Sequence, residues 1–460
     1  MDIQKITSVY FVGAGGIGMS ALIRYFLAKG KRVAGYDKTP SELTAELIQE
    51  GASIHYEDNT ELIPEDCKHP ESTLVVYTPA IPETHTELTY FRQSGFTIMK
   101  RARVLGEITR YARGLCVAGT HGKTTTSSMA AHLLKQSHVD CNAFLGGILK
   151  NYQSNLMLSD QSDLTVIEAD EFDRSFHWLN PYMAVITAVD PDHLDIYGTP
   201  EAYRESFEHF TSLIRPDGCL ILKKGVNLHP QLKPGVKLYT YSATEEADFY
   251  AKNIRIGNGE IFFDFVAPDV CIPDIQLGVP VKVNIENGVA AMALAWLNGV
   301  TEEEIKQGMK SFAGPVRRFD FHVKKENIVL LDDYAHHPAE LKASILSVKE
   351  LYKGKKITGI FQPHLYTRTR DFAEDFAQSL SLLDELILLD IYPAREEPIP
   401  GVTSQIIFDK VTVSDKKMIR KEELLALAEK EAPAWNVVLM LGAGDIDRLI
   451  EPVKQIVEKL

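Results

Sequence analysis

Gly119-Thr120-His121-Gly122-Lys123-Thr124-Thr125 stands between an apolar strand, Leu115–Ala118, and a helical pattern running from Thr124 to Gln136. A glycine loop joining a strand to a helix is the setting of a P-loop. Its backbone N–H groups can cradle phosphates, Lys123 can neutralise them, and the Thr124 hydroxyl can ligate a divalent cation. The strict GxxxxGK[ST] spacing would put its first glycine at Val117, so the match to the general pattern is incomplete. The plainer alternative, a lysine-bearing turn, gives no reason for GKTTT to open a helix directly.

Downstream, two more buried strands, Leu164–Ile167 and Ala184–Ala188, end in acids: Glu168-Ala169-Asp170-Glu171, and Asp190-Pro191-Asp192-His193-Leu194-Asp195. In an open α/β sheet such strand ends face the crevice where a phosphate binds. Carboxylates and an imidazole there could hold metal beside it. Taken singly, each acid reads as a solvated loop residue; their shared placement argues otherwise.

Upstream, Gly13-Ala14-Gly15-Gly16-Ile17-Gly18 fits GxGxxG between the strand Ser8–Val12 and a helix through Met19–Ala28. Glycines let the backbone approach a diphosphate seated on the helix N-terminus. Asp37 ends the next strand, Arg32–Tyr36, where a ribose hydroxyl would be read. A further strand is expected at Thr73–Tyr77, and a helical stretch near Val104–Tyr111 leads to a boundary around 107–114. Beyond the middle region, two-residue alternation over Phe249–Ile256 and Ile261–Val266 predicts antiparallel strands, and Asn287–Leu297 a helix. Four apolar runs then follow Gly314-Pro315: Ile328–Leu331, Ile357–Phe361, Leu386–Leu389 and Val437–Leu441. Two of them end in Asp332-Asp333-Tyr334-Ala335-His336-His337-Pro338 and in Gln362-Pro363-His364-Leu365-Tyr366-Thr367-Arg368, residues suited to an anionic ligand. Charged surface loops are the plainer reading of each.

The fold class expected is α/β in three domains. These are an N-terminal Rossmann-like unit (1–109), a central P-loop-type ATPase sheet with a small antiparallel β part (110–314), and a C-terminal Rossmann-like unit (315–460). The 460 residues suit about three domains at roughly 150 each. Hydrophobic residues at 45% and charged residues at 24% exclude a disordered or fibrous chain. A formal charge of −14 opposes binding to a nucleic-acid backbone, though not a local basic pocket. Five scattered cysteines without a CxxC pair point to a reducing compartment. With no apolar run of about 18 residues and no leader pattern, no membrane insertion and a cytoplasmic setting are expected. The expected assembly is a monomer or weak dimer.

In this order, GxGGxG, GTHGKTTT, EADE…DH, the Asn-bearing helix start and DDYAHHP resemble the Mur ligase family over essentially the whole chain. The resemblance implies three domains for a UDP-sugar, ATP and an amino acid. It is similar to the alanine-adding branch, which uses ATP and Mg²⁺ to join L-alanine to the lactyl carboxylate of UDP-N-acetylmuramate through an acyl phosphate, in peptidoglycan precursor synthesis. The resemblance implies catalytic roles for Lys123, His193, His336 and Arg318, with the loop Gly119, Thr120, His121, Gly122, Lys123, Thr124 and Thr125 on the ATP phosphates. It places Asn284 and Asn287 on adenine, Arg318 and Asp333 also on ATP, and Thr124, Glu168 and His193 at the metal. UDP-N-acetylmuramate would meet Gly13, Gly15, Gly16, Ile17, Gly18, Met19, Ser20, Asp37, Thr78 and Ala80. The amino acid would meet Tyr334, His336, His364 and Arg368.

Three positions depart from the family pattern. Val283 replaces a usual histidine, and Leu365 follows His364 where arginine is usual, so one carboxylate contact is missing or supplied elsewhere. Phe207 stands where related ligases carry a lysine that becomes carbamylated, which fits the alanine-adding branch. The competing readings are a ligase adding an L-alanyl peptide, a nicotinamide oxidoreductase built on Gly13–Gly18 and Asp37, and a nucleotide-gated binding protein.

Overall fold

The computed structural model describes residues 5–78, 81–257, 259–394 and 396–460. Its strands form three sheets, mostly parallel. By packing, the chain divides into two compact units. One comprises Met1–Lys252, Asp264–Pro273 and Glu286–Phe312; the other comprises Asn253–Phe263, Asp274–Ile285 and Ala313–Leu460.

The first unit opens with β1 (Ser8–Val12), β2 (Arg32–Tyr36), β3 (Ser53–His55), β4 (Thr73–Tyr77) and β5 (Thr97–Lys100), in the order β3-β2-β1-β4-β5. All four pairings are parallel. β1 is buried at every position, as a strand covered on both faces must be. The helix α1 (Ile17–Ala28) leaves directly from the glycine turn after β1.

The second sheet contains β6 (Arg113–Ala118), β7 (Asn142–Leu149), β8 (Ser154–Met157), β9 (Leu164–Glu168), β10 (Pro181–Ile186), β11 (Cys219–Lys223) and β12 (Lys237–Ser242). It continues with β13 (Phe249–Gly257), β14 (Glu260–Ala267) and β15 (Val270–Gln276), in the order β15-β14-β13-β12-β11-β10-β6-β9-β7-β8. β6 lies between β9 and β10, both parallel to it, so Val117 registers with Glu168 on one side and Val185 on the other. The acidic strand ends therefore flank the loop, as expected. β13 and β14 are neighbours joined by a connection too short for a parallel crossover, which makes them a hairpin. β12, by contrast, is parallel to β11.

Two features escape the apolar pattern. The antiparallel pair β7–β8 is hidden because Gly146-Gly147 interrupt β7. The helix expected from Asn287 starts at Val283, which brings Asn284 and Asn287 onto its opening turns.

The second unit's sheet has six strands where four apolar runs were read: β16 (Asp320–Lys324), β17 (Val329–Asp333), β18 (Ile357–Phe361), β19 (Glu385–Leu388), β20 (Lys416–Met418) and β21 (Val437–Leu441), ordered β16-β17-β21-β18-β19-β20. The two additional strands are the edges. They carry charge, as edge strands do, and so show no continuous apolar run.

Candidate active site

The loop after β6 is held in shape by the neighbouring strand end. Thr120 N donates to Ala188 O (3.0 Å), and Thr120 Oγ1 donates to Asp190 O (2.7 Å) and lies 3.0 Å from the Tyr203 hydroxyl. Gly119 has φ +138°, and a Cβ there would stand 2.1 Å from Thr187 Oγ1, so only glycine serves. Lys123 opens the helix Lys123–Lys135, and its Nζ donates to Gly119 O (2.7 Å) and to Glu171 Oε1 (2.9 Å). Thr124 Oγ1 donates to Glu168 Oε1 (2.9 Å), while Gly146 N donates to Glu168 Oε2 (3.0 Å). Burial raises the carboxyls of Glu168 and Glu171 above the ordinary range, against the pull of Lys123.

His121 is exposed, 3.9 Å from Asp190. His193 has φ +52°; its imidazole lies 3.7 Å from Asp192 and packs edge-on to Phe172. Asn287 Oδ1 accepts from Thr126 Oγ1 (3.3 Å), which fixes it against the loop helix.

At the N-terminal loop, Gly15 N donates to Asp37 Oδ2 (2.6 Å) and Thr39 N to Asp37 Oδ1 (3.1 Å). Asp37 thus shapes the glycine turn itself. A cavity of about 370 Å³ is lined by Gly16, Ile17, Gly18, Met19, Thr78 and Arg101, and also by Phe144, Gly146, Glu168 and Asp170. The start of α1 and the Glu168 carboxylate therefore share one cavity. Arg101 Nη2 donates to Asp170 Oδ2 across it (3.1 Å). Ala80 lies outside the described residues.

In the second unit, Arg317 and Arg318 separate in role. Arg317 Nε donates to Asp332 Oδ2 (3.1 Å) and Nη2 to Gly442 O (2.6 Å), a structural clamp between β17 and β21. Arg318 is exposed; both guanidiniums lie over the Tyr334 ring, Arg317 at 5.2 Å and Arg318 at 5.6 Å. Asp333 accepts from Ser344 Oγ (2.7 Å). Tyr334, His336 and His364 follow one another with ring centroids 5.3 and 6.1 Å apart, and Arg368 Nη1 lies 3.4 Å from His364 Nδ1. Burial lowers the His336 pKa, leaving a neutral imidazole at neutral pH. Asn284, expected beside Asn287, donates to Val279 O (3.2 Å) within this unit.

Residues 117–295 match the Mur ligase middle domain, residues 8–113 the Mur ligase family catalytic domain, and residues 317–444 the Mur ligase glutamate ligase domain. A UDP-N-acetylmuramate–L-alanine ligase of Parabacteroides distasonis is 77% identical over 459 residues, covering 100% of this chain and 99% of that one. The chain belongs to the Mur ligase family.

A relative with the same name from Flavobacterium johnsoniae is 47% identical over the full length of both chains. Among solved structures, the UDP-N-acetylmuramate–alanine ligase of Thermotoga maritima superposes with a TM-score of 0.80 at 27% identity, covering 98% of each chain. A murein peptide ligase of Psychrobacter arcticus, at 20% identity and a TM-score of 0.66 over 98% of each chain, shares the fold.

Sequence reasoning left two side chains of this Mur ligase unassigned. Glu171 is the partner of Lys123, and its signal was the last letter of EADE. Arg101 comes from the helix Arg101–Ile108 and carried no local motif. A divalent cation is tested by the donors present. The Thr124 hydroxyl and the Glu168 carboxylate are hard oxygens suited to Mg²⁺. These two oxygens fit the metal, although no group of three or more His, Cys, Asp or Glu side chains among the described residues stands together to hold one.

Proposed function

We propose that this chain is an ATP-dependent ligase that joins L-alanine to the lactyl carboxylate of UDP-N-acetylmuramate in peptidoglycan precursor synthesis. The observation that carries the reading is the full-length 77% identity to an L-alanine ligase, joined to the shared cavity of α1 and Glu168. Family membership also accounts for GKTTT and DDYAHHP, which a nicotinamide oxidoreductase leaves unexplained. Residues 1–109 are assigned to the sugar nucleotide, 110–314 to ATP and 315–460 to the amino acid.

The geometry supports the following residue roles. The start of α1 offers backbone N–H groups and a helix end to the diphosphate. Lys123, released from Glu171 by an anion, neutralises the ATP phosphates, and Arg318 adds a second cation. Asn287, Asn284 and Asp333 are assigned to the adenosine. Thr124 and Glu168 would hold Mg²⁺, with His193 beside the site. When bound, Mg²⁺ supplies charge neutralisation to the transferring phosphoryl group. The lactyl carboxylate takes that phosphoryl group as an acyl phosphate, and the neutral amine of alanine then displaces phosphate. An ammonium cannot attack, so a proton has to leave it first. With Nδ1 3.0 Å from Tyr334 O and donating to it, His336 keeps Nε2 free to accept that proton. Tyr334, His364 and Arg368 would orient the amino acid. Four of the five cysteines are buried and none is paired, which suits the cytoplasm, and no helix among the described residues is long and apolar enough to cross a membrane.

Incubation with ATP, Mg²⁺ and UDP-N-acetylmuramate tests the assignment by product mass and phosphate release. L-alanine should give the alanyl product. Phosphate with an L-alanyl peptide and none with L-alanine would instead make the chain a peptide-adding ligase.

A further inference from the structure

Asn155 in β8 is fully buried. Its amide is spent on α1. Oδ1 accepts from Arg24 Nη1 (2.9 Å), and Nδ2 donates to Ile17 O (2.8 Å) and Ser20 Oγ (3.0 Å). Arg24 is anchored in turn by Glu50 and Glu46. A buried amide that gives and takes hydrogen bonds at once fixes its partner in direction as well as distance. Here the partner is the first turn of α1, and Ile17 lines the cavity.

The other strand of the same hairpin reaches the other end of that cavity. Gly146 N holds one oxygen of Glu168 while Thr124 holds the other. A Cβ on Gly146 would stand 2.3 Å from Glu168 Oε2, so β7 is pressed directly against this carboxylate. β7 pairs with β9 through Phe144↔Ile167 and with β8 through Phe144↔Leu156, a continuous ladder up to Phe144, beyond which the β7–β8 register shifts and frees Gly146 for Glu168. Phe144 also packs on Tyr25 of α1, with ring centroids 5.7 Å apart.

We propose that the β7–β8 hairpin is the spacer that sets the separation of the α1 terminus from the Glu168–Thr124 pair, and that Asn155 is the positioning residue that registers α1 upon it. The consequence for rate rests on the ligase reading above. A carboxylate must meet the γ-phosphate within about 3–3.5 Å, and a displacement of about 1 Å can cost on the order of a hundredfold.

Asn155→Asp separates positioning from support. It keeps an acceptor for Arg24 but sets a carboxylate against Ile17 O. The expected result is a lowered thermal midpoint with the protein still folded at the assay temperature, affinities for ATP and UDP-N-acetylmuramate within about twofold by calorimetry, and kcat lowered at least about tenfold. Amide hydrogen exchange at Ile17–Ser20 should quicken, with Gly119–Thr125 unchanged. A kcat within twofold of wild type overturns the spacer, as does a kcat loss with unchanged exchange at α1. Asn155→Ser, too short to reach both partners, gives the same pattern if the aspartate variant does not fold. A wild-type protein that binds both nucleotides but releases no phosphate with L-alanine overturns the ligase reading alone; the exchange result then decides the spacer by itself.

Discussion

The two glycine loops of the first unit share a strand–turn–helix plan and differ in what closes on them. After β1, the turn is drawn in by Asp37 through Gly15 N, and the cation beside it, Arg101, comes from a separate helix and is paired with Asp170. After β6, Lys123 is built into the loop and kept there by Glu171. The backbone offers an anion much the same donors in both places, so the difference lies in charge. A loop with its own ammonium suits a triphosphate, whose transferred group gains charge during reaction. A loop that relies on N–H groups and a helix end suits a diphosphate that is only held. On the proposed function, the same local fold serves once as a reacting site and once as a binding site.

The comparison breaks hardest at the lysine. Lys123→Ala should lower phosphate release by about a thousandfold, with UDP-N-acetylmuramate affinity by calorimetry unchanged; near-normal turnover would remove the distinction between the loops. The mirror experiment is Gly15→Ala. A Cβ there would stand 2.9 Å from Asp37 Oδ2 and displace it, so KM for the sugar nucleotide should rise about tenfold while ATP affinity stays within twofold. A rise in both would mean the loops do not act separately.

The smallest effect concerns the helix that carries the second loop. His132 is buried between Tyr152 and Ser311, and burial pushes its pKa down to about 4. The unfolded chain takes up a proton near pH 6.5 and the folded one only near 4. Stability is therefore lost as pH falls through that window, by about 2 kcal/mol between pH 7 and 5. His132→Asn should flatten this part of the thermal-midpoint profile without changing kcat at pH 7.5. An unchanged profile would show that His132 does not titrate in the folded chain as described.

Much of this was legible in the chain itself, for physical reasons that can be named. β1, β6 and β18 are continuous apolar runs because strands covered on both faces must be, and the glycine loops are local because one turn of backbone makes them. β16 and β20 were not legible, since charged edges lack that pattern. Nor was β7, whose Gly146 is a contact residue of Glu168 and breaks the apolar run for that reason. In the second unit, the Arg317 clamp could not be read from spacing; it depends on Asp332 and Gly442, which lie far apart in sequence.

By itself the sequence determined the order of three α/β parts and the two glycine turns that open helices, because these depend on short-range periodicity and on loops that fold locally. Tertiary structure alone decided that Glu171 holds Lys123, that Asp37 shapes its own glycine turn, and that Asn155 grips α1. Each of those contacts joins residues distant along the chain, and only packing of the strands that carry them brings donor and acceptor within hydrogen-bonding reach.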